Sequence, residues 1–216
     1  MSEGSLAHDS DLLPVAGIVP MTTVDFPGRI ACVIFTQGCP WRCPYCHNAG
    51  LRPMKSNGNL PWKGVLSFLE ERGGFLDGVV FSGGEPTRNA RLPEAIRQIR
   101  ELGYAIGLHT AGIYPKRLAA VLPLVDWVGL DIKAPLDRRY QVLTGSAGSA
   151  MRVMISLNLV QHSGVDFQLR TTVDPQFTSS RDLDDLRSHL RMAGAPEPVI
   201  QPARPSLNIS FSHHAS

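Results

Sequence analysis

Three of the four cysteines in this 216-residue chain fall within eight residues, in the run Gly38-Cys39-Pro40-Trp41-Arg42-Cys43-Pro44-Tyr45-Cys46-His47-Asn48. The spacing is Cys-x3-Cys-x2-Cys. Proline follows Cys39 and Cys43 directly. Because proline lacks a backbone N–H and fixes φ, the stretch cannot run through a helix or a paired strand. It must be a loop folded around something, with its sulfurs converging. Three thiolates are soft ligands that suit an iron–sulfur cluster or zinc. A closed structural site of either kind takes four protein ligands. Three ligands leave one metal position open, which is what a catalytic centre needs. The blander reading is a three-cysteine zinc site completed by His47, although the run lacks the paired-knuckle spacing of structural zinc sites.

The other chemistry-capable residues recur where apolar runs end. Residues 30–35 are continuous, apolar and rich in β-branched side chains, which predicts a strand buried on both faces. The cysteine loop begins just past it. A second strand over 78–81 leads into Ser82-Gly83-Gly84-Glu85-Pro86-Thr87. A third over 104–108 leads into His109-Thr110-Ala111-Gly112. A fourth over 126–132 ends in Asp131-Ile132-Lys133. A fifth over 166–173 contains Arg170, and a sixth is expected within 198–205. Helices are predicted over 61–72, 92–102, 115–122, 149–161 and 180–192. That over 149–161 is assigned Met151, Met154, Ile155 and Leu159 as its apolar stripe. Residues 134–148 read as mixed, and 15–28 as a turn-rich entry segment with Phe26 as an apolar plug.

Six strands alternating with helices predict an α/β domain with a parallel sheet and right-handed crossovers. Periodicity alone does not separate an open doubly wound sheet from an incomplete barrel. In either, sites are built at the C-terminal ends of the strands. Cys39, Ser82 to Glu85, with Gly83 and Gly84 between them, His109, Asp131 and Lys133 all fall there, which implies one site gathered around the cysteine loop. The expected organisation is a leader over 1–14, one domain over 15–205 and a tail over 206–216.

Composition narrows the function class. The net charge is +2, from 21 basic and 19 acidic residues. That balance argues against nucleic-acid binding by phosphate neutralisation. The N-terminal stretch lacks the basic and apolar regions of a signal peptide, and no apolar run approaches the ~20 residues of a membrane span. Bunched cysteines do not resemble a secreted disulfide framework. The chain is therefore expected to be cytoplasmic, with its thiols as metal ligands. Cys32, inside the first strand, reads as a small core residue.

The cysteine spacing, with an aromatic before the last cysteine, and the Gly83-Gly84-Glu85-Pro86 turn resemble the radical S-adenosylmethionine (SAM) superfamily. The fuller runs Thr23-Val24-Asp25-Phe26-Pro27-Gly28-Arg29 and Phe35-Thr36-Gln37-Gly38-Cys39 through Asn48 resemble the glycyl-radical-enzyme activators. Among these they are most similar to the branch that activates anaerobic ribonucleoside-triphosphate reductase, over about residues 16–205. The resemblance implies an incomplete (β/α)6 TIM-like barrel. It implies a 4Fe–4S cluster on Cys39, Cys43 and Cys46, with SAM on the fourth iron. In that family an electron from the cluster cleaves the sulfonium, and the 5′-deoxyadenosyl radical takes a hydrogen atom from the target. The implied partners are a glycyl radical enzyme and a low-potential electron donor such as flavodoxin or ferredoxin.

Residue by residue, the resemblance implies that Gly83, Gly84 and Glu85 meet the SAM amino group; the alternative is an ordinary strand-to-helix turn. It sets Tyr45 against the adenine, or simply within the loop's packing. His109 and Thr110 match a strand-end position near the ribose or a cation. The family often has Asp-Thr-Asn-Gly where this chain has His109-Thr110-Ala111-Gly112. Asp131 and Lys133 match a segment near the SAM carboxylate, or they pair with each other. Arg170 has the ligand carboxylate and Asp131 as alternative partners. Two other functional classes fit the same motifs: a small-molecule radical enzyme resembling 7-carboxy-7-deazaguanine synthase, and a non-enzymatic iron–sulfur electron-transfer or sensor protein.

Overall fold

The computed structural model describes residues 12–54 and 58–203. Residues 1–11 of the expected leader and the expected tail lie outside the described residues, as do His213 and His214. Leu12 and Leu13, which fall within the expected leader, are 1% exposed and belong to the main core.

Seven strands form one sheet: β1 (Val15–Thr22), β2 (Ala31–Thr36), β3 (Gly78–Gly83), β4 (Ala105–Thr110), β5 (Trp127–Asp131), β6 (Asp166–Val173) and β7 (Val199–Pro202). Spatial order equals chain order. β2 to β7 are parallel to their neighbours, while β1 pairs antiparallel with β2. The helices are α1 (Trp62–Glu70), α2 (Leu92–Glu101), α3 (Pro115–Val121), α4 (Arg138–Thr144), α5 (Ser149–Gln161) and α6 (Ser180–Met192). Each crossover steps the same way along the sheet, and right-handed connections then put every helix on one face. The result is the wall of an incomplete (β/α)6 barrel, as expected. No described helix is long and apolar enough to cross a membrane.

Strand side chains alternate between faces, and the two faces hold two cores. Cys32, Ile34, Val79, Phe81, Ile106, Leu108, Val128 and Leu130 pack outward under the helices. Burial pushes the Cys32 thiol up to about 12, consistent with a core residue. The concave face carries Ala31, Val33, Val80 and Trp127, closed by Phe26 from the β1–β2 connection. Phe26 stacks on Trp127 at 6.0 Å between ring centres.

Three expectations change. Within 15–28, read as a turn-rich entry segment, residues 15–22 form the eight-residue strand β1, which pairs with β2 at the sheet edge. Residues 134–148 contain α4, a short helix capped by the Asp137 carboxylate on the Arg139 N–H. In α5 the buried residues are Ser149, Val153, Ser156, Leu157 and Val160, whereas Met151 (60%), Met154 (44%) and Ile155 (46%) are exposed. The two small serines let this helix sit close to its neighbours, one of them bonding the Gly112 carbonyl. An apolar count alone chose the outward stripe. α6 starts where a reciprocal Ser179–Asp182 capping box satisfies its first N–H groups.

Phe26 is 3% exposed and fills the floor below the strand ends. Phe26→Ala should cost about 3–5 kcal/mol in urea unfolding. Ser179→Ala, at an exposed cap, should cost about 1 kcal/mol. Equal effects would mean the concave face is not a packed core.

Candidate active site

The cysteine loop leaves β2 at the C-terminal edge of the sheet and is pinned by backbone bonds on two sides. Gly38 N–H donates to Leu51 and Cys39 N–H to Arg52, at 2.7 and 3.1 Å. Arg42 N–H donates to the Thr144 carbonyl at the end of α4, at 2.9 Å. The helix not foreseen in the sequence is thus one of the loop's anchors.

Cys39, Cys43 and Cys46 line a cavity of about 140 Å³ together with Tyr45, Gly83, Gly84, His109, Asp131, Lys133 and Arg170. Glu85 is the one sequence-selected residue outside that lining. Among the described residues, no three His, Cys, Asp or Glu side chains converge as a single ion requires. In a cluster each thiolate binds a different iron, so three sulfurs spread around one cavity fit it. Burial pushes the Cys39 thiol up to about 12 and raises that of Cys43, so loading iron there must displace protons.

Trp41 was not singled out in the sequence, yet it lines the cavity and is 1% exposed. Its indole Nε1–H has no acceptor among the described residues. A buried donor without a partner is costly, and a sulfide or thiolate of a cluster would be an acceptor for it. Nothing in a tryptophan's sequence position signals an unmatched N–H.

Gly83 and Gly84 are present for want of space. A Cβ on Gly83, at φ +112°, would lie 2.4 Å from Thr36 N, and one on Gly84 2.5 Å from the Gly38 carbonyl oxygen. The turn therefore lies directly against the start of the cysteine loop, with Gly84 N–H on Thr36 and Glu85 N–H on Gly38. Asn48 Nδ2 also donates to the Gly83 carbonyl, at 3.4 Å. The Glu85 carboxylate turns inward. One oxygen accepts from Thr87 N–H, the Thr87 hydroxyl and the Thr110 hydroxyl; the other accepts from Ala111 N–H at 3.0 Å. Burial raises its pKa, and those donors partly offset the rise.

His109, at the end of β4, donates Nε2–H to the Asp25 carbonyl at 2.9 Å and meets Trp127 edge-on. Burial, then Arg170, pushes its pKa down to about 4, so the ring is neutral. Asp131 accepts from Arg170 Nε and Nη2 at 3.0 and 2.9 Å and from Lys133 Nζ at 3.3 Å. Gly129 makes room for this arrangement, since a Cβ there would stand 2.8 Å from Arg170 Cζ. Burial would raise the Asp131 carboxyl, but Arg170 and then Lys133 outweigh it and hold it at about 2. Burial opposes the Lys133 ammonium, yet Asp131 lifts it well above the ordinary lysine range. Two cations on one carboxylate leave one net positive charge on the cavity wall. Tyr45 donates its hydroxyl to the Lys133 carbonyl and packs near Phe177. Beside it lies a larger, mostly apolar cavity of about 520 Å³, which shares Lys133.

Glu85→Gln should destabilise the protein by roughly 1–3 kcal/mol, because an amide sets its own N–H against Thr110 or Ala111 donors; an unchanged urea midpoint would contradict the clamp. Asp131 gives a pH signature. Its unfolded carboxyl titrates near ~3.9, so its stabilisation is complete above that pH and is lost as pH falls toward about 2. The stability gap between wild type and Asp131→Asn should shrink over that window; a constant gap would contradict the pairing.

A family model described as the radical SAM superfamily matches residues 33–187. The chain is 29% identical over 180 residues to a protein named as a glycyl-radical enzyme activating enzyme in Methanocaldococcus jannaschii, covering 80% of this chain and 73% of that one. It is 32% identical over 173 residues to the pyruvate formate-lyase-activating enzyme of Clostridium pasteurianum, covering 78% and 71%. The fold matches the crystal structure of Streptococcus suis SuiB bound to S-adenosylmethionine, with a TM-score of 0.63 at 15% identity. That match covers 82% of this chain but only 41% of SuiB. The chain belongs to the radical SAM superfamily, enzymes whose cofactors are a 4Fe–4S cluster and S-adenosylmethionine.

Proposed function

We propose that this enzyme generates a glycyl radical on a partner enzyme, an anaerobic ribonucleoside-triphosphate reductase, in the cytoplasm. The observation that carries the reading is the shared cavity: three thiols without a fourth, a glycine turn and a cationic strand-end network. Cys39, Cys43 and Cys46 hold the cluster and leave one iron for SAM. The backbone of Gly83 and Gly84 receives the SAM ammonium group. Glu85 acts through that backbone, its own carboxylate being committed to Thr87, Thr110 and Ala111. Lys133, kept charged by Asp131, and Arg170 beside it hold the SAM carboxylate. Tyr45 covers the adenine, and neutral His109 faces the ribose. The cofactors supply a one-electron reduction and a carbon-centred radical that takes a hydrogen atom from the target glycine. The protein contributes position, charge and exclusion of water.

The partner rests on the likeness of residues 23–29 and 35–48 to the reductase-activating branch. The name of the C. pasteurianum relative supports pyruvate formate-lyase as a second target. The low-potential electron donor is proposed to be a flavodoxin or ferredoxin.

Anaerobic incubation of the reconstituted enzyme with SAM, a reductant and each target enzyme should yield the glycyl radical EPR doublet on the reductase. A doublet on pyruvate formate-lyase alone would move the partner. Cleavage of SAM with no radical on either would favour a small-molecule enzyme. Arg170→Ala should weaken SAM binding to the cluster-loaded protein about tenfold or more, the scale of a lost charged hydrogen bond. Unchanged affinity would confine Arg170 to its pair with Asp131.

A further inference from the structure

The reaction above needs an electron from outside, and the outer face of the cysteine loop is chemically unlike the rest of the molecule. Across the whole chain basic and acidic residues nearly balance, at 21 and 19. Between Asp25 and Glu70 there is no acidic residue, whereas Arg29, Arg42, Arg52, Lys55 and Lys63 fall there. The structure folds two of these arginines onto one surface. A shallow groove of about 410 Å³ is lined by Cys39, Pro40, Arg42, Arg52, Pro53 and Met54. Arg88 borders it, donating to the Met54 carbonyl and lying against Gly38. None of Arg42, Arg52 and Arg88 takes part in an ion pair among the described residues. By contrast Arg139, at the rim of the larger cavity, is held by Asp137, Asp182 and Asp185. Arg42 is exposed, and so are Pro53 and Met54. A cationic rim around an apolar centre suits an acidic protein that binds briefly and releases.

Cys39 lines this groove and the active-site cavity alike. A cluster held by Cys39 is therefore one side chain away from the groove. None of the strand-end residues assigned to SAM lines it. An electron could enter from this side while the substrate occupies the other.

We infer that the groove around Cys39, Arg42 and Arg52 is the docking face for an acidic one-electron carrier protein that reduces the cluster. The inference rests on the radical SAM reading of the site. One electron leaves the carrier, which is oxidised by one unit, and passes at Cys39 into the cluster. From there it is consumed in breaking the sulfonium bond of SAM, which leaves methionine and the 5′-deoxyadenosyl group. No atom is exchanged with the carrier.

The test compares wild type with Arg42→Glu/Arg52→Glu and with the milder Arg42→Gln/Arg52→Gln. Three readouts are taken: binding of oxidised flavodoxin to cluster-free protein, stopped-flow bleaching of the cluster by flavodoxin hydroquinone, and 5′-deoxyadenosine formation driven by dithionite. The expected result is at least tenfold weaker binding and slower bleaching in the charge reversal, and an intermediate loss in the glutamine variant. Dithionite-driven cleavage should stay within about twofold of wild type. Wild-type binding should weaken with salt, as charge-driven association does. Equal bleaching rates in all three proteins would overturn the docking face, and so would a variant that loses binding of the glycyl radical target while keeping normal bleaching. Failure of dithionite to drive cleavage in wild type would instead strike the radical SAM reading itself.

Discussion

The site hangs on one buried carboxylate. Glu85 is 1% exposed and is surrounded by donors from two strand ends, the Thr87 amide and hydroxyl on its own turn and Thr110 and Ala111 at the end of β4. An unmatched charge at that depth would cost several kcal/mol; matched, it clamps β3 and β4 together where the sheet meets the cofactors. The same clamp presses the Gly83–Gly84 backbone onto Gly38 and so sets where the cysteine loop begins. Without it, three thiols on a proline-rich loop would have no fixed relation to the other strand ends.

The second support is a charge arrangement built across β5 and β6. Asp131 alone would be driven toward its neutral form by burial, and Arg170 or Lys133 alone would be a half-buried cation without a partner. Together Arg170 and Lys133 hold Asp131 ionised, and Asp131 in turn keeps Lys133 charged. Removing any one member leaves a charge in a poorly solvated place, which is why such groups act as a unit. Gly129 belongs to the same design, because any side chain there would displace the Arg170 guanidinium. Below this layer Phe26 and Trp127 fill the concave face, and the Asp25 carbonyl holds His109 upright. The polar upper layer therefore rests on an apolar floor that excludes water.

Much of this was legible from residue order because the governing rules are local. Strand-like runs marked all six parallel strands, β7 within 198–205 included, and the ends of the earlier ones named polar residues that line the cavity. Alternation already set Asp131 and Lys133 on one side. What escaped depended on partners distant in sequence. The Glu85 carboxylate was expected to face a ligand; its donors Thr110 and Ala111 sit 25 residues or more away, where no motif announces them. α4 lacks a strong apolar period and is recognisable mainly by its Asp137 cap. α5 shows the limit of hydrophobicity alone: its methionines face outward because small serines give the closer packing. Trp41 looks like loop filling until its unmatched indole N–H is located.

The central claim is that three cysteines hold a cluster whose remaining iron is open to SAM. Low-temperature EPR of the reduced, anaerobically reconstituted protein, recorded with and without SAM, tests it most directly. The account predicts a cluster signal whose g values shift when SAM is added, and no such cluster signal when Cys39, Cys43 and Cys46 are each replaced by alanine. A spectrum that SAM leaves unchanged, or a cluster that survives loss of all three cysteines, would contradict it.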